Sequence, residues 1–277
     1  MLDFSNRPEL RHLAALAAAF RAGAGDTPFF LAGATARDLL LHYAHNIDAG
    51  RDTRDVDIAL MVSDWATFDT LRSRLIAGGR FAPNGNALHK LEFGGFLEID
   101  LIPFGAVERA DRTIAWPPDG DFVMTVFGFS EVFAATLSVR LPDDEEIRIV
   151  SLPALAVLKL MAWKERRLSQ PGKDAYDLAM ILRNYLDAGN HERLYTEAAH
   201  LLEMPDFDFE QAGAWLLGHD MAQLLPRAAR PPVAEVLAAE GNPQGAIRLA
   251  GDMPIEAGLA LALLQSMNKG FLETADR

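Results

Sequence analysis

Asp55, Asp57 and Asp100 are the residues whose type and spacing offer chemistry. The stretch RDTRDVDIAL (51–60) alternates from Asp55 onward, with Asp55, Asp57 and Ala59 on one parity and Val56, Ile58 and Leu60 on the other. That is the pattern of a half-buried strand. Residues two apart on a strand share a face with Cα atoms about 6–7 Å apart, so the two carboxylates can reach one point. Hard divalent cations such as Mg²⁺ take such oxygen ligands together with substrate phosphates. Two ions about 3.5–4 Å apart can activate an attacking oxygen and stabilise a departing pyrophosphate. FLEIDLIPF (96–104) offers a third carboxylate, Asp100, between Ile99 and Leu101, with Glu98 on the same face as a reserve. The competing reading is a solvated acidic face, or carboxylates paired with Arg51 and Arg54.

A second group lies downstream. In SLPALAVLKLMAWKERRL (151–168), Lys159 follows Leu152 by seven residues and Leu155 by four, on or beside the apolar stripe of a helix. A lysine there must snorkel to water or pair with an acid. In GKDAYDLAMILRNYL (172–186), Asp174 and Asp177 share a helical face with Leu178 and Ile181. Lys159 could reach phosphate while Asp177 orients it or an acceptor. The plainer alternative is a snorkelling lysine and an acidic first turn that favours the helix dipole.

These residues need elements to position them. PFFLAG (28–33) is a short apolar run ending in glycine, a buried strand, and TARDLLLHYAH (35–45) follows as a helix. Gly33 permits the sharp turn between them, backbone N–H groups at the helix start can hold a phosphate, and Thr35 adds a hydroxyl. Residues 8–22 form an amphipathic helix, 46–54 a polar loop, 55–62 a strand, and SDWATFDTLRSRLIAGG (63–79) a helix with Ser63 as its cap. ALHKLEF (87–93) and FLEIDLIPF are joined as a hairpin through Gly94 and Gly95, and further strands fall near 136–141 and 146–150. From Ser151 onward only helical patterns remain. The expected architecture is α/β (α+β): a mixed-sheet domain over 1–150 and an all-helical domain over 151–277.

Composition narrows the classes. The 277 residues contain no cysteine, which excludes disulfides, thiolate metal sites and cysteine nucleophiles and fits a cytoplasmic setting. No apolar run approaches the roughly 20 residues that span a bilayer. The net charge of −13 disfavours a large nucleic-acid footprint but not a nucleotide neutralised by Mg²⁺. His42 and His45, the pair His219 and Asp220, and Trp65, Trp116, Trp163 and Trp215 are read as packing or surface residues.

In order, strand–glycine turn–helix, h-D-h-D-h and a later h-[DE]-h resemble the active-site layout of the DNA polymerase β-like nucleotidyltransferase superfamily. LAGATARDLLL with RDVDIAL is similar to the opening of the CCA-adding and poly(A) polymerase branch. Ala34 stands where a second Gly or Ser is usual, so a hydroxyl contact is lost there. LPALAVLKLMAWKERRLSQPGKDAYDLAMIL resembles AbiEii/AbiGii-type toxin nucleotidyltransferases.

The resemblance spans roughly 30–182 and implies transfer of a nucleoside monophosphate from a nucleoside triphosphate to an acceptor hydroxyl. It implies Asp55, Asp57 and Asp100 as ligands of one or two Mg²⁺ ions and Gly33, Ala34, Thr35, Arg37 and Lys159 at the nucleotide phosphates. Asp177 joins the catalytic set. The acceptor class stays open among tRNA, protein and small molecule, and an antitoxin-like protein is a candidate partner. A local stripe of Lys164, Arg166, Arg167 and Lys173 suits a short RNA contact. The runner-up is a catalytically silent nucleotide- or partner-binding module on the same scaffold.

Overall fold

Alternation in Asp55–Val62 builds a central strand of a mixed sheet. The structure, a computed structural model, describes residues 1–48, 50 and 55–275. It divides into two compact units, Met1–Ala36 with Gly50–Ser151, and Arg37–Ala49 with Leu152–Arg277. The first unit holds β1 (Leu2–Asp3), β2 (Phe29–Ala32), β3 (Asp55–Val62), β4 (Phe81–Pro83), β5 (Lys90–Phe93) and β6 (Leu97–Gly105). It continues with β7 (Thr113–Ala115), β8 (Val123–Thr125), β9 (Leu137–Arg140) and β10 (Glu146–Ile149). Among the described residues one sheet runs β1–β9–β10–β2–β3–β6–β5–β4, and β7 pairs with β8 as a separate ribbon. The pairs β1/β9, β10/β2 and β3/β6 are parallel; the other neighbours in the large sheet are antiparallel.

The two faces of the sheet differ in a way the alternation dictates. On one face Val56, Ile58 and Leu60 of β3 stand beside Ile99 and Leu101 of β6, all buried. Helix α1 (Arg11–Ala24) buries Leu13, Leu16, Ala17 and Phe20 at helical spacing. The Phe20 ring lies 4.8 Å from Phe29 and 6.1 Å from Phe81. The opposite face is split along its length. It is acidic where β3 and β6 begin, at Asp55, Asp57, Glu98 and Asp100, and turns aromatic further on. There Phe30 and Phe104, with centroids 5.7 Å apart, pack against Phe129 and Phe133.

Helix α2 (Gly33–Asp38) follows β2 directly and continues through a π-helical turn, Leu39–Tyr43. Helix α3 (Trp65–Ala77) buries Phe68, Leu71 and Leu75 and ends at Gly78. Its cap is Asp64 rather than Ser63: the Asp64 carboxylate accepts from the Thr67 amide at 2.7 Å. A carboxylate placed one residue later reaches the free amides, and Ser63 instead bonds the Thr67 hydroxyl at 2.9 Å. The short α4 (Phe129–Val132) carries the aromatic cover just described.

Among the described residues no strand follows Ile149, so the expected order of mixed sheet and then helices is what the chain adopts. The second unit contains α5 (Leu152–Arg166), α6 (Pro171–Asn184), α7 (Phe209–Leu224), α8 (Arg230–Glu240), α9 (Arg248–Asp252) and α10 (Ala257–Ala275). Helices α7 and α10 approach backbone to backbone through one glycine on each. A Cβ on Gly218 would lie 1.9 Å from the Met267 carbonyl oxygen, and one on Gly270 would lie 2.0 Å from that of Trp215. No described helix is long and apolar enough to cross a membrane.

Candidate active site

The singled-out residues fall into two groups, one in each unit. In the first, the sheet register lines up a single row across four strands. Ala32 of β2 faces Asp57 of β3, Asp57 faces Asp100 of β6, and Asp100 faces Lys90 of β5. One step along, Asp55 faces Glu98. Neighbouring strands lie about 4.8 Å apart, so Asp57 and Asp100 project side by side from one face. Asp55, Asp57 and Asp100 are each half-buried, while Glu98 is exposed.

Gly33 is tied to this row by space. Its φ is +64°, and a Cβ there would fall 1.8 Å from Asp57 Oδ2 and 2.8 Å from its Cγ. Only glycine permits both the turn and the carboxylate leaning against it. Thr35 Oγ1 donates to the Asp55 backbone carbonyl at 3.2 Å, fastening the start of α2 to the start of β3. Ala34, half-buried, brings a methyl group and no donor. Arg51 and Arg54, the suggested partners of the aspartates, lie outside the described residues.

Lys90 was not among the residues singled out from sequence. Its Nζ lies 2.7 Å from Asp100 Oδ1. Burial pulls the Lys90 pKa down, but the hydrogen bond and charge of Asp100, joined by Glu98 and Asp55, outweigh it and leave the group raised. His89, next along, is lowered: burial dominates, Asp100 opposes it and Lys90 adds to it. A signal for Lys90 existed. Counting back along the hairpin from Gly94 and Gly95 sets Lys90 opposite Asp100.

The second group is a chain of alternating charges. Lys159 Nζ lies 2.5 Å from Asp177 Oδ2 and 3.4 Å from Asp174 Oδ1. Asp177 also accepts from Arg37 Nη1, and Asp38 takes the other side of that guanidinium at 2.7 Å. Asp174 is held by Arg166 through two bonds of 2.6 and 2.7 Å. Arg37, Lys159, Asp174 and Asp177 are all buried, with relative exposures of 1, 6, 0 and 4%. Burial alone would raise the Asp174 carboxyl, but the Arg166 hydrogen bonds and the charges of Lys159 and Arg166 hold it below its ordinary value. Lys159 therefore does not snorkel. It pairs, and helix α5 tolerates it among apolar neighbours because two carboxylates of α6 meet it.

Of the basic stripe, Arg166 is engaged by Asp174, Lys164 stands 3.8 Å from Glu235, and the Arg167 guanidinium lies over the Trp163 ring at 5.8 Å. His219 stacks on Trp215 with rings 16° apart and bonds the Thr274 hydroxyl at 2.6 Å, a packing role. Glu197, His219 and Asp220 bring their ligand atoms within 4.8 Å of one another. Arg193 already donates to both carboxylates, at 2.7 and 2.6 Å, so their charge has its partner. His42 and His45 are both exposed on the segment after α2.

A mixed sheet with an acidic row beside a glycine turn, followed by helices, defines a nucleotidyltransferase-type fold. The chain belongs to the family described as "Nucleotidyl transferase AbiEii toxin, Type IV TA system", whose model matches residues 14–238. This is an enzyme family, and its name implies a nucleoside triphosphate as substrate. No curated protein matches the chain. Among solved structures, the solution structure of the antibiotic-resistance factor ANT(2'')-Ia is similar at 15% identity and TM-score 0.37, covering 70% of this chain and 99% of that one. An antigenic nucleotidyltransferase-like protein from Paracoccidioides brasiliensis is similar at 15% identity and TM-score 0.44, covering 76% and 94%. JHP933 from Helicobacter pylori is similar at 12% identity and TM-score 0.36, covering 97% and 94%.

Proposed function

We propose that this chain transfers a nucleoside monophosphate from a nucleoside triphosphate to an acceptor hydroxyl, with Asp55, Asp57 and Asp100 holding Mg²⁺. The acceptor oxygen attacks the α-phosphorus, the bond from that phosphorus to the β,γ-pyrophosphate breaks, and the acceptor proton passes to a carboxylate, for which Asp100 is the candidate. The observation that carries the reading is the register: Asp57 and Asp100 are direct neighbours on adjacent parallel strands, with Asp55 two residues away on the same face. Three carboxylates on one face are an all-oxygen donor set, which suits a hard divalent ion. When bound, Mg²⁺ supplies charge neutralisation and polarises the attacking and leaving oxygens. Gly33 leaves room for Asp57, and Thr35 sets the start of α2 against β3. Lys159 is the candidate for phosphate contact, and Asp177, which it shares with Arg37, is the residue that orients it. A membrane has no part in the reading; a toxin-type role with an antitoxin-like partner follows from the family.

Incubation with α-labelled nucleoside triphosphates, Mg²⁺ and panels of RNA, protein and small alcohols tests the claim. The wild type labels one class of acceptor, and Asp57→Asn lowers labelling at least about 100-fold. Background labelling by both proteins against every acceptor sinks it. The silent-module reading draws on the engagement of Lys159 by two carboxylates and on Ala34. Calorimetric nucleotide binding without pyrophosphate release favours that module instead.

A further inference from the structure

We infer that Lys90 is a positioning residue for the acidic row: a tethered cation that holds Asp100 before a divalent ion binds and gives way when one does. The inference rests on the metal-binding reading of Asp55, Asp57 and Asp100. Lys90 is the cross-strand partner of Asp100, and its ammonium is within 2.7 Å of Oδ1. Glu98 lies two residues along the same face from Asp100, with Asp55 opposite it, so the ammonium stands beside a row of carboxylates rather than one.

An ammonium 2.7 Å from Oδ1 draws on the same oxygen that Mg²⁺ would take at roughly 2.0–2.1 Å, so the two cations compete for it. Two cations that close also repel. An ammonium on a four-carbon stem is a mobile point charge with rotatable donors, unlike the rigid fork of an arginine. The Lys90 side chain is 38% exposed, so water is open to it as an alternative partner. Before metal binds, Lys90 offsets the repulsion that neighbouring carboxylates impose on the strands. When metal binds, the ion takes over that task and Lys90 swings out. The apparent metal affinity is accordingly weaker than the carboxylates alone would give.

The test measures Mn²⁺ binding by calorimetry and thermal unfolding with and without Mn²⁺, using the full chain. Lys90→Met keeps the stem and removes the charge; Lys90→Gln is the second variant if the first folds poorly. The expected result is Mn²⁺ binding about three- to tenfold tighter than wild type, in keeping with release of a partly exposed ion pair. The variant also melts lower than wild type without metal and gains more from saturating Mn²⁺. A residue with a merely structural role would leave the site looser and the affinity lower. Wild-type Mn²⁺ binding that Asp57→Asn abolishes, together with unchanged or weaker binding by both Lys90 variants, overturns the role of Lys90 and leaves the metal site standing. No Mn²⁺ binding by the wild type or by either Lys90 variant overturns the metal reading, and this inference with it.

Discussion

At Gly33 a backbone at φ +64° and a carboxylate that would lie 1.8 Å from any Cβ meet at one residue. An alanine there meets two penalties. The left-handed conformation disfavours an L side chain by about 1 kcal/mol, and Asp57 must leave its position. Gly33→Ala is expected to destabilise the chain by about 2–4 kcal/mol and to remove transferase activity, read by chemical denaturation and labelled-nucleotide transfer. Asp57→Ala in the same chain removes the Oδ2 and Cγ contacts, so the double variant should be less destabilised than the sum of the two; additivity would show that the clash is not the cause. At this scale the sequence was informative where chemistry and pattern coincide. Alternation put Asp55 and Asp57 on one face and Asp100 on a partner strand. A lysine on a half-exposed strand such as Lys90 carries no signal until the hairpin register is counted, and no local pattern reveals how close Gly33 comes to Asp57.

The charge chain on α5 and α6 belongs to the scale of elements, since it decides how two helices of the second unit can pack. Removing Asp177 takes the nearest acid from buried Lys159 and one of two from buried Arg37, leaving them Asp174 and Asp38, which already face Arg166 or solvent. Removing the central lysine leaves each acid with an arginine. Asp177→Ala is therefore expected to destabilise the fold by about 3–5 kcal/mol, and Lys159→Met by much less, on the order of 1 kcal/mol. Urea titrations of the two variants compare them directly, and equal losses would refute the chain as described. The pH dependence follows from Asp174, whose folded carboxyl is held below the ordinary 3.8. A depressed carboxyl contributes stability that is full above that value and is lost as pH falls below it. Asp174→Asn should flatten the acid limb of stability against pH in that range; an unchanged limb would mean that Asp174 is not its source. Helical spacing put Lys159 on or beside the apolar stripe of one helix and Asp174 and Asp177 on one face of the next. Which cation meets which acid depends on the approach of α5, α6 and the end of α2 at Arg37 and Asp38, and periodicity carries no distances between elements.

For the molecule as a whole, the order of mixed sheet and then helices was legible from the change of period near Ser151, and the cap of α3 was missed by one residue. The close approach of α7 and α10 was not legible, because Gly218 and Gly270 read in sequence as ordinary small residues within apolar helices. Gly218→Ala is expected to lower stability by about 3 kcal/mol, since a methyl group 1.9 Å from the Met267 carbonyl oxygen forces the helices apart. Gly270→Ala should do the same, and the double variant should lose less than the sum because the first methyl already separates the pair. Thermal and urea unfolding decide it; simple addition would argue that each helix yields locally. The division of the chain has a further consequence. Residues 37–49 belong with 152–277, although the sheet unit surrounds them in sequence. Recombination between relatives at one crossover near 151 would therefore unite a helical unit from one parent with its early segment from the other, and an intact exchange requires three junctions.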